Sequence, residues 1–248
     1  MKFGMAATVL VLLAAAIRAE EGSEDPFPVE VGTEWTFDVG NEKLFPIKGA
    51  EFRFVVAEKK AGDKNFAKCS CGTMFDVSQW KAGQELECSV CKKTFTVGAP
   101  AEWTRIDTYA MGKSAAAQRE YYTVDGDFTY LVRRAAVGAS VDLNPPQPYL
   151  PRTLAEGKTW SWHGDFGDEE TVGKFTVEAF EEVEVAAGKF SAWRVKYEWE
   201  MKSGIKVVSL RWFAPGVGMI IQDDTTIQGT GSSRRIGKLK SWKAPERK

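Results

Sequence analysis

The sequence predicts an all-β fold: duplicated antiparallel units forming one curved sheet, a half-barrel or a sandwich, with a small four-cysteine subdomain inserted in the first unit. Three observations carry this. Apolar and polar residues alternate with period two over long stretches, the mark of half-buried strands. Gly-containing turn signals separate those stretches. A Trp-rich pattern occurs twice along the chain. No stretch after the N-terminal apolar run has the 3.6-residue apolar period of an amphipathic helix.

Taken in order, the chain opens with Met1-Lys2, the apolar run "MAATVLVLLAAAI" and then "RAEEGS". A positive start, a short apolar core and a small residue before a polar stretch describe a secretory signal peptide, placed at 1–19. The run is short for a bilayer span. An exported chain, periplasmic or secreted, is therefore expected. "EFRFVV" puts Phe52, Phe54 and Val56 on one face of a strand. "REYYTVDGDFTYLVRR" places Asp125-Gly126 between two aromatic runs, a hairpin signal. "LNPPQPYLP" reads as a polyproline connector. "FSAWRVKYEWEM" puts Trp193, Val195, Tyr197, Trp199 and Met201 on one face, with charged residues opposite. "SGIKVVSLRWFAPGVGMIIQDD" is a second hairpin with a Pro-Gly turn.

Aligning the halves places Trp103 with Trp193, Tyr109 with Trp199 and Met111 with Met201, a constant offset of 90 (193 − 103). Tyr121-Tyr122 matches Trp212-Phe213 at an offset of 91 (213 − 122). Gly32 and Trp35 match Gly157 and Trp160 at 125 (160 − 35). The first half has thus gained about 35 residues between Trp35 and Trp103. Phe66 resembles Phe190, which places the gain between Phe66 and Trp103. The expected organisation is a signal peptide at 1–19, a first β repeat at 20–67 and 101–146, an inserted subdomain at 68–100, and a second β repeat at 147–248.

All four cysteines lie in the insertion, as Cys69-x-Cys71 and Cys88-x-x-Cys91. Two such knuckles can close four thiolates into the tetrahedron that Zn²⁺ takes at about 2.3 Å. Phe75, Val77, Phe95 and Val97 recur at matching distances from the knuckles and would pack two small hairpins. So small a unit has little core, and a metal would supply much of its folding energy. Cys69, Cys71, Cys88 and Cys91 are accordingly the expected ligands of one structural zinc. The rival reading is structural disulfides, which an oxidising compartment allows. A redox role for Cys88 and Cys91 ranks below both, since no helix stands behind them to lower a thiol pKa. Four cysteines leave no open position for a catalytic water. The stretch resembles the small zinc ribbons of many bacterial proteins: CxCG, a strand, a Gly turn, CxxC. It departs from them in the shorter first knuckle and in Lys92, where Gly often stands.

Net charge is −1 over 248 residues, which gives no general attraction for nucleic acid. No phosphate-cradling Gly loop is present. His163 is the single histidine and sits in "WSWHGDFGDEE". It reads as part of a solvated turn, with a cation-binding hairpin loop as the alternative. Asp223 and Asp224 are strand neighbours and point to opposite faces, which argues against a shared site. The nine Trp are expected to fill the β core, with an aromatic-lined groove as the functional alternative.

"EEVEVAAGKFSAWRVKYEWEM" and "RWFAPGVGMIIQDD" resemble a group of exported bacterial β proteins whose recurring patterns are EEVEVPAGKF and WFAPGVGM, with Ala186 here in place of Pro. That resemblance implies a curved antiparallel sheet, like the half-barrel of lipoprotein carriers, and no activity. The first reading of function is an exported non-enzymatic binding protein of the envelope or periplasm, its partner an apolar ligand or an envelope protein. No nucleic acid and no membrane span are expected. The second reading is an interaction module with the ribbon as docking surface. The third is a hydrolase built around His163.

Overall fold

The structure is a computed structural model that describes residues 26–27, 30–41, 50–110, 112–218, 220–229 and 232–245. The signal-peptide expectation and Met111 lie outside these residues. Among the described residues sixteen strands follow one another: β1 (Glu34–Asn41), β2 (Ala50–Ala61), β3 (Phe66–Lys68), β4 (Met74–Asp76), β5 (Glu85–Glu87), β6 (Thr94–Thr96), β7 (Glu102–Ala110), β8 (Gln118–Asp125), β9 (Phe128–Ala136), β10 (Ala139–Pro151), β11 (Thr159–Phe166), β12 (Glu169–Val185), β13 (Gly188–Met201), β14 (Lys206–Phe213), β15 (Ile220–Gln228) and β16 (Ser232–Lys243).

Twelve of them close into an antiparallel barrel in the order β1-β16-β15-β14-β13-β12-β11-β10-β9-β8-β7-β2. The sheet is therefore neither an open half-barrel nor a sandwich. Pairing of β1 with β16, Glu34 opposite Lys243, satisfies the edges that a half-barrel would leave open. The Pro-rich segment expected to be a connector is part of β10. It pairs with β9 on both sides of a skip between Asp142 and Gln147, and that irregularity absorbs Pro145 and Pro146, which cannot donate to the ladder.

A twelve-stranded barrel is wider than the eight-stranded kind that ordinary side chains fill. Large aromatics fill this one. Trp35, Phe175, Tyr197 and Phe213 are completely buried, with Tyr122, Tyr149 and Trp162 beside them. The Tyr197 ring lies 5.2 Å from Phe175 and 5.3 Å from Trp199. Their polar atoms are met: Tyr197 Oη donates to the Tyr149 carbonyl at 2.9 Å, and Trp35 Nε1 to that of Val217 at 2.9 Å. Along β13 the inward set is the expected one, with Val195 and Tyr197 buried while Lys196 pairs with Glu198 on the outer face.

The halves β1, β2, β7–β10 and β11–β16 repeat the same backbone details. Gly32 N donates to Val56 O at 2.8 Å, and Gly157 N to Val177 O at 2.9 Å. Trp35 stands opposite Phe54, and Trp160 opposite Phe175. One-residue bulges follow Val56 and Val177, facing Ile106–Arg105 and Val195–Arg194. These bulges fix the correspondence of Arg105 with Arg194, an offset of 89 (194 − 105). The offset of 90 is thus one residue too long, and one residue in a strand reverses the face. Trp193 packs on the barrel core, whereas Trp103 points outward into a separate cluster with Tyr130, Val132 and Phe66. The true counterpart of Trp193 is Thr104, which lies opposite Tyr122 as Trp193 lies opposite Phe213.

The extra segment leaves the barrel after Ala61 and returns at Glu102, which pair directly. Its boundaries are therefore wider than 68–100. It consists of the hairpins β3-β4 and β5-β6 over a core of their own: Ala67, Val77 and Val97, flanked by Phe75, Trp80, Leu86 and Phe95. Phe75 and Phe95 stack at 5.2 Å. Phe66 and Lys68 tie the unit to the outer barrel wall, Lys68 Nζ donating to Tyr130 Oη at 3.4 Å.

Candidate functional site

The two hairpins bring Cys69, Cys71, Cys88 and Cys91 together, with all four sulfurs within 4.8 Å of one another. Each knuckle is a tight reversal. Gly72 N donates to Cys69 O at 2.8 Å, and Lys92 N to Cys88 O at 2.9 Å. Gly72 has φ +92° and Lys92 φ +63°. Lys92 thus takes the left-handed conformation that the Gly usual at this position would supply without a side-chain penalty. The two knuckles reach the same reversal with different numbers of residues.

Cys69 and Cys91 Sγ are 3.5 Å apart, and Cys71 and Cys88 Sγ 3.7 Å. A disulfide needs about 2.05 Å, and all four cysteines are free thiols here. Four sulfurs at about 2.3 Å from one centre stand about 3.8 Å apart at the corners of a tetrahedron. The cluster has that spacing and could hold a metal. Charge is unevenly prepared. The Thr73 hydroxyl and amide bring the Cys71 thiol down to about 6. The Cys71 amide lowers Cys69. The Lys93 amide favours a thiolate at Cys91, but burial and the three neighbouring sulfurs push it up to about 12. A thiol that resists losing its proton beside three other sulfurs is what a bound cation would relieve.

A second site lies inside the barrel. At the end formed by the β11–β12 and β13–β14 hairpins, the aromatic filling stops and leaves a cavity of about 130 Å³. Trp162, Phe166, Trp199, Met201 and Val207 form its apolar wall, and Arg134, Gln147, Thr171 and Arg211 its polar wall. Arg134 Nε donates to Glu120 Oε1 at 2.6 Å, and Tyr122 Oη to Glu120 Oε2 at 2.7 Å. Arg211 donates to Ser209 Oγ at 2.9 Å and to Tyr149 Oη at 3.1 Å, and its guanidinium lies 5.3 Å from the Trp199 ring centre. Burial opposes the charge on Glu120, but Arg134, Tyr122 and Arg211 hold its carboxyl below the usual range. Gln147 is buried, and its Nε2 has no hydrogen-bond partner among the described residues.

Residues 171–234 match the family described as DUF3108-like. Among solved structures the chain is similar to a candidate lipoprotein from Parabacteroides distasonis ATCC 8503 and to a candidate exported protein with YmcC-like fold from Bacteroides fragilis NCTC 9343. Each is 12% identical with a TM-score of 0.44, over 90% of this chain and 100% of the other. No curated protein matches the chain.

The matched stretch spans β12 to the start of β16 and supplies Thr171, Trp199, Met201, Val207 and Arg211 to the cavity. The cavity was not foreseen from the sequence, although a signal existed. Glu120 shares the inward parity of Tyr122, and Arg211 that of Ser209 and Phe213. His163, by contrast, is exposed on β11, with Nε2 3.0 Å from Glu170 Oε1, and Glu170 in turn meets Lys202 Nζ at 3.2 Å. Asp224 forms a two-pronged pair with Arg234 at 2.9 and 2.7 Å. Among the described residues no helix is long and apolar enough to cross a membrane.

Proposed function

We propose that this chain is an exported, non-enzymatic binding protein that takes an apolar ligand at the barrel end and carries one structural zinc on Cys69, Cys71, Cys88 and Cys91. The organisation proposed with it is a cleaved segment at 1–19, two six-stranded halves, and a ribbon set into the first. The single observation that carries the binding role is the cavity. An aromatic-filled barrel has an unfilled end walled by Trp162, Phe166 and Trp199, and small-ligand sites are concave and mostly apolar with a few placed polar groups. The thiolate spacing supports zinc. The N-terminal sequence supports export.

Calorimetric titration with hexan-1-ol tests the binding role. One saturable site is expected, abolished in Val207→Trp, whose indole would occupy the cavity. Absence of saturable binding in the wild-type chain would refute it. Mass spectrometry of the exported protein tests the localisation, with a mature start at Glu20 expected and an intact Met1 refuting it.

A further inference from the structure

We propose that the barrel-end cavity binds a small apolar carboxylic acid, its carboxylate facing Arg134, Arg211 and Gln147 and its hydrocarbon part against Trp162, Phe166 and Trp199. The inference deepens the reading of this end as a ligand site and rests on it. Its basis is the mismatch between the cavity's two walls. One wall is aromatic and aliphatic, and the other presents donors. Guanidinium groups only donate hydrogen bonds, and the open position on Gln147 is the amide Nε2, also a donor. A buried donor without an acceptor is costly, so the site is complete only with an acceptor inside it.

The acceptor's chemistry follows from what is already there. A neutral carbonyl would satisfy Gln147 but would make little use of the two half-buried guanidiniums on the same wall. A carboxylate accepts from several donors at once, through charge-assisted bonds. Phosphate fits less well, because Glu120 already contributes a negative charge beside Arg134 and would repel a dianion more than a monoanion. Size sets the rest. A dry cavity of about 150 Å³ holds benzene, and this one is about 130 Å³. The enclosed part is therefore a short chain or a single ring, and a longer chain would run out through the mouth.

Titration of the full chain with sodium hexanoate and with hexan-1-ol, followed by calorimetry at pH 7, tests this. Hexanoate should bind about tenfold more tightly than the alcohol, the difference one charge-assisted hydrogen bond makes. Gln147→Leu keeps the side-chain volume and removes the donor. It should weaken hexanoate about tenfold and leave hexan-1-ol unchanged, and the melting temperature shows that the variant is folded. Should Gln147→Leu not fold, Arg211→Lys replaces it, with the same loss expected for hexanoate alone. Equal affinity for the two probes in the wild-type chain would overturn the carboxylate assignment and leave the apolar site standing. A hexanoate preference that survives the folded variant would also overturn it, placing the anion elsewhere. Failure of both probes to bind would overturn the site itself.

Discussion

Arg134 and Glu120 form an ion pair of 2.6 Å within the barrel wall, and Tyr122 completes the carboxylate's shell. Glu120 sits in the same inward row as core aromatics, so its charge is tolerable only while Arg134, Tyr122 and Arg211 face it. Removing the charge leaves the guanidinium without its counterion in a partly buried place.

Glu120→Gln should therefore cost about 2 kcal/mol at neutral pH, in the range for hydrogen bonds to charged groups. The pH dependence has a definite sign. The folded-state pKa of Glu120 lies below its unfolded value, so the charged form is favoured by folding. Its contribution is complete above the unfolded pKa of about 4.3 and is lost as pH falls through the lower folded value. Urea melts of wild type and Glu120→Gln should differ by a constant amount from pH 6 to 8 and converge in acid. A gap that widens in acid would contradict the assignment.

Gly62→Ala should destabilise the neck of the two-hairpin unit by about 1–3 kcal/mol, the usual range for forced overpacking. A Cβ at Gly62 would lie 2.3 Å from Trp103 Nε1 and 2.5 Å from Cε2. The indole is hemmed in by Arg133, 5.2 Å from its ring centre, and by Tyr121. Gly98→Ala, in the other connecting strand of the neck, meets nothing within 4 Å and serves as the control. Thermal melts of the two variants decide it, and equal melts would mean that Trp103 moves freely.

The strands and their faces were legible in the second half because its strands alternate without interruption, as Trp193 to Met201 shows. Closure was not legible. Whether a curved sheet meets itself depends on the pairing of β1 with β16, far apart in sequence, and no local pattern encodes it. The alignment of Trp103 with Trp193 is off by one residue against the strand register. The matching bulges after Val56 and Val177 insert one residue in both halves, and aligning Trp with Trp is chemically attractive but geometrically wrong. Trp103 gained its outward place because Phe66 and the hairpin unit cover it. The cysteine knuckles were legible because spacing alone determines whether four sulfurs can meet. The cavity was not, since Arg134, Gln147 and Arg211 come from three strands whose proximity is tertiary.

Elemental analysis of the purified chain should find one zinc per chain, and Cys88→Ser should reduce it to a trace. Cys88 is completely buried, so the other three ligands cannot recruit a solvent molecule in its place without opening the hairpins. Thiol titration of metal-stripped native protein should recover four free thiols. A count near zero would mean that the cluster is bridged by disulfides in the exported protein.

Excising the two-hairpin unit should leave a folded barrel. Ala61 and Glu102 are paired partners, so replacing residues 62–101 with Asn-Gly joins β2 to β7 through a two-residue turn. No ladder position shifts, because the cut falls outside the paired residues on both strands. Ile106 therefore keeps its inward place opposite Val56, and Thr104 its place opposite Tyr122. The unit has its own core of Ala67, Val77 and Val97, which shares no member with the barrel core. The loss falls on the outer wall, where Trp103, Tyr130 and Val132 lose Phe66 as cover. Melting should drop by a few degrees and solubility should fall, and replacing Trp103 with Thr in the excised chain should restore the solubility. Chelation of the intact chain should likewise leave the barrel's circular dichroism unchanged while the hairpins open. If the excised chain is unfolded and chelation also unfolds the intact one, the hairpin unit is part of the barrel's cooperative core and the independence of the two cores is refuted.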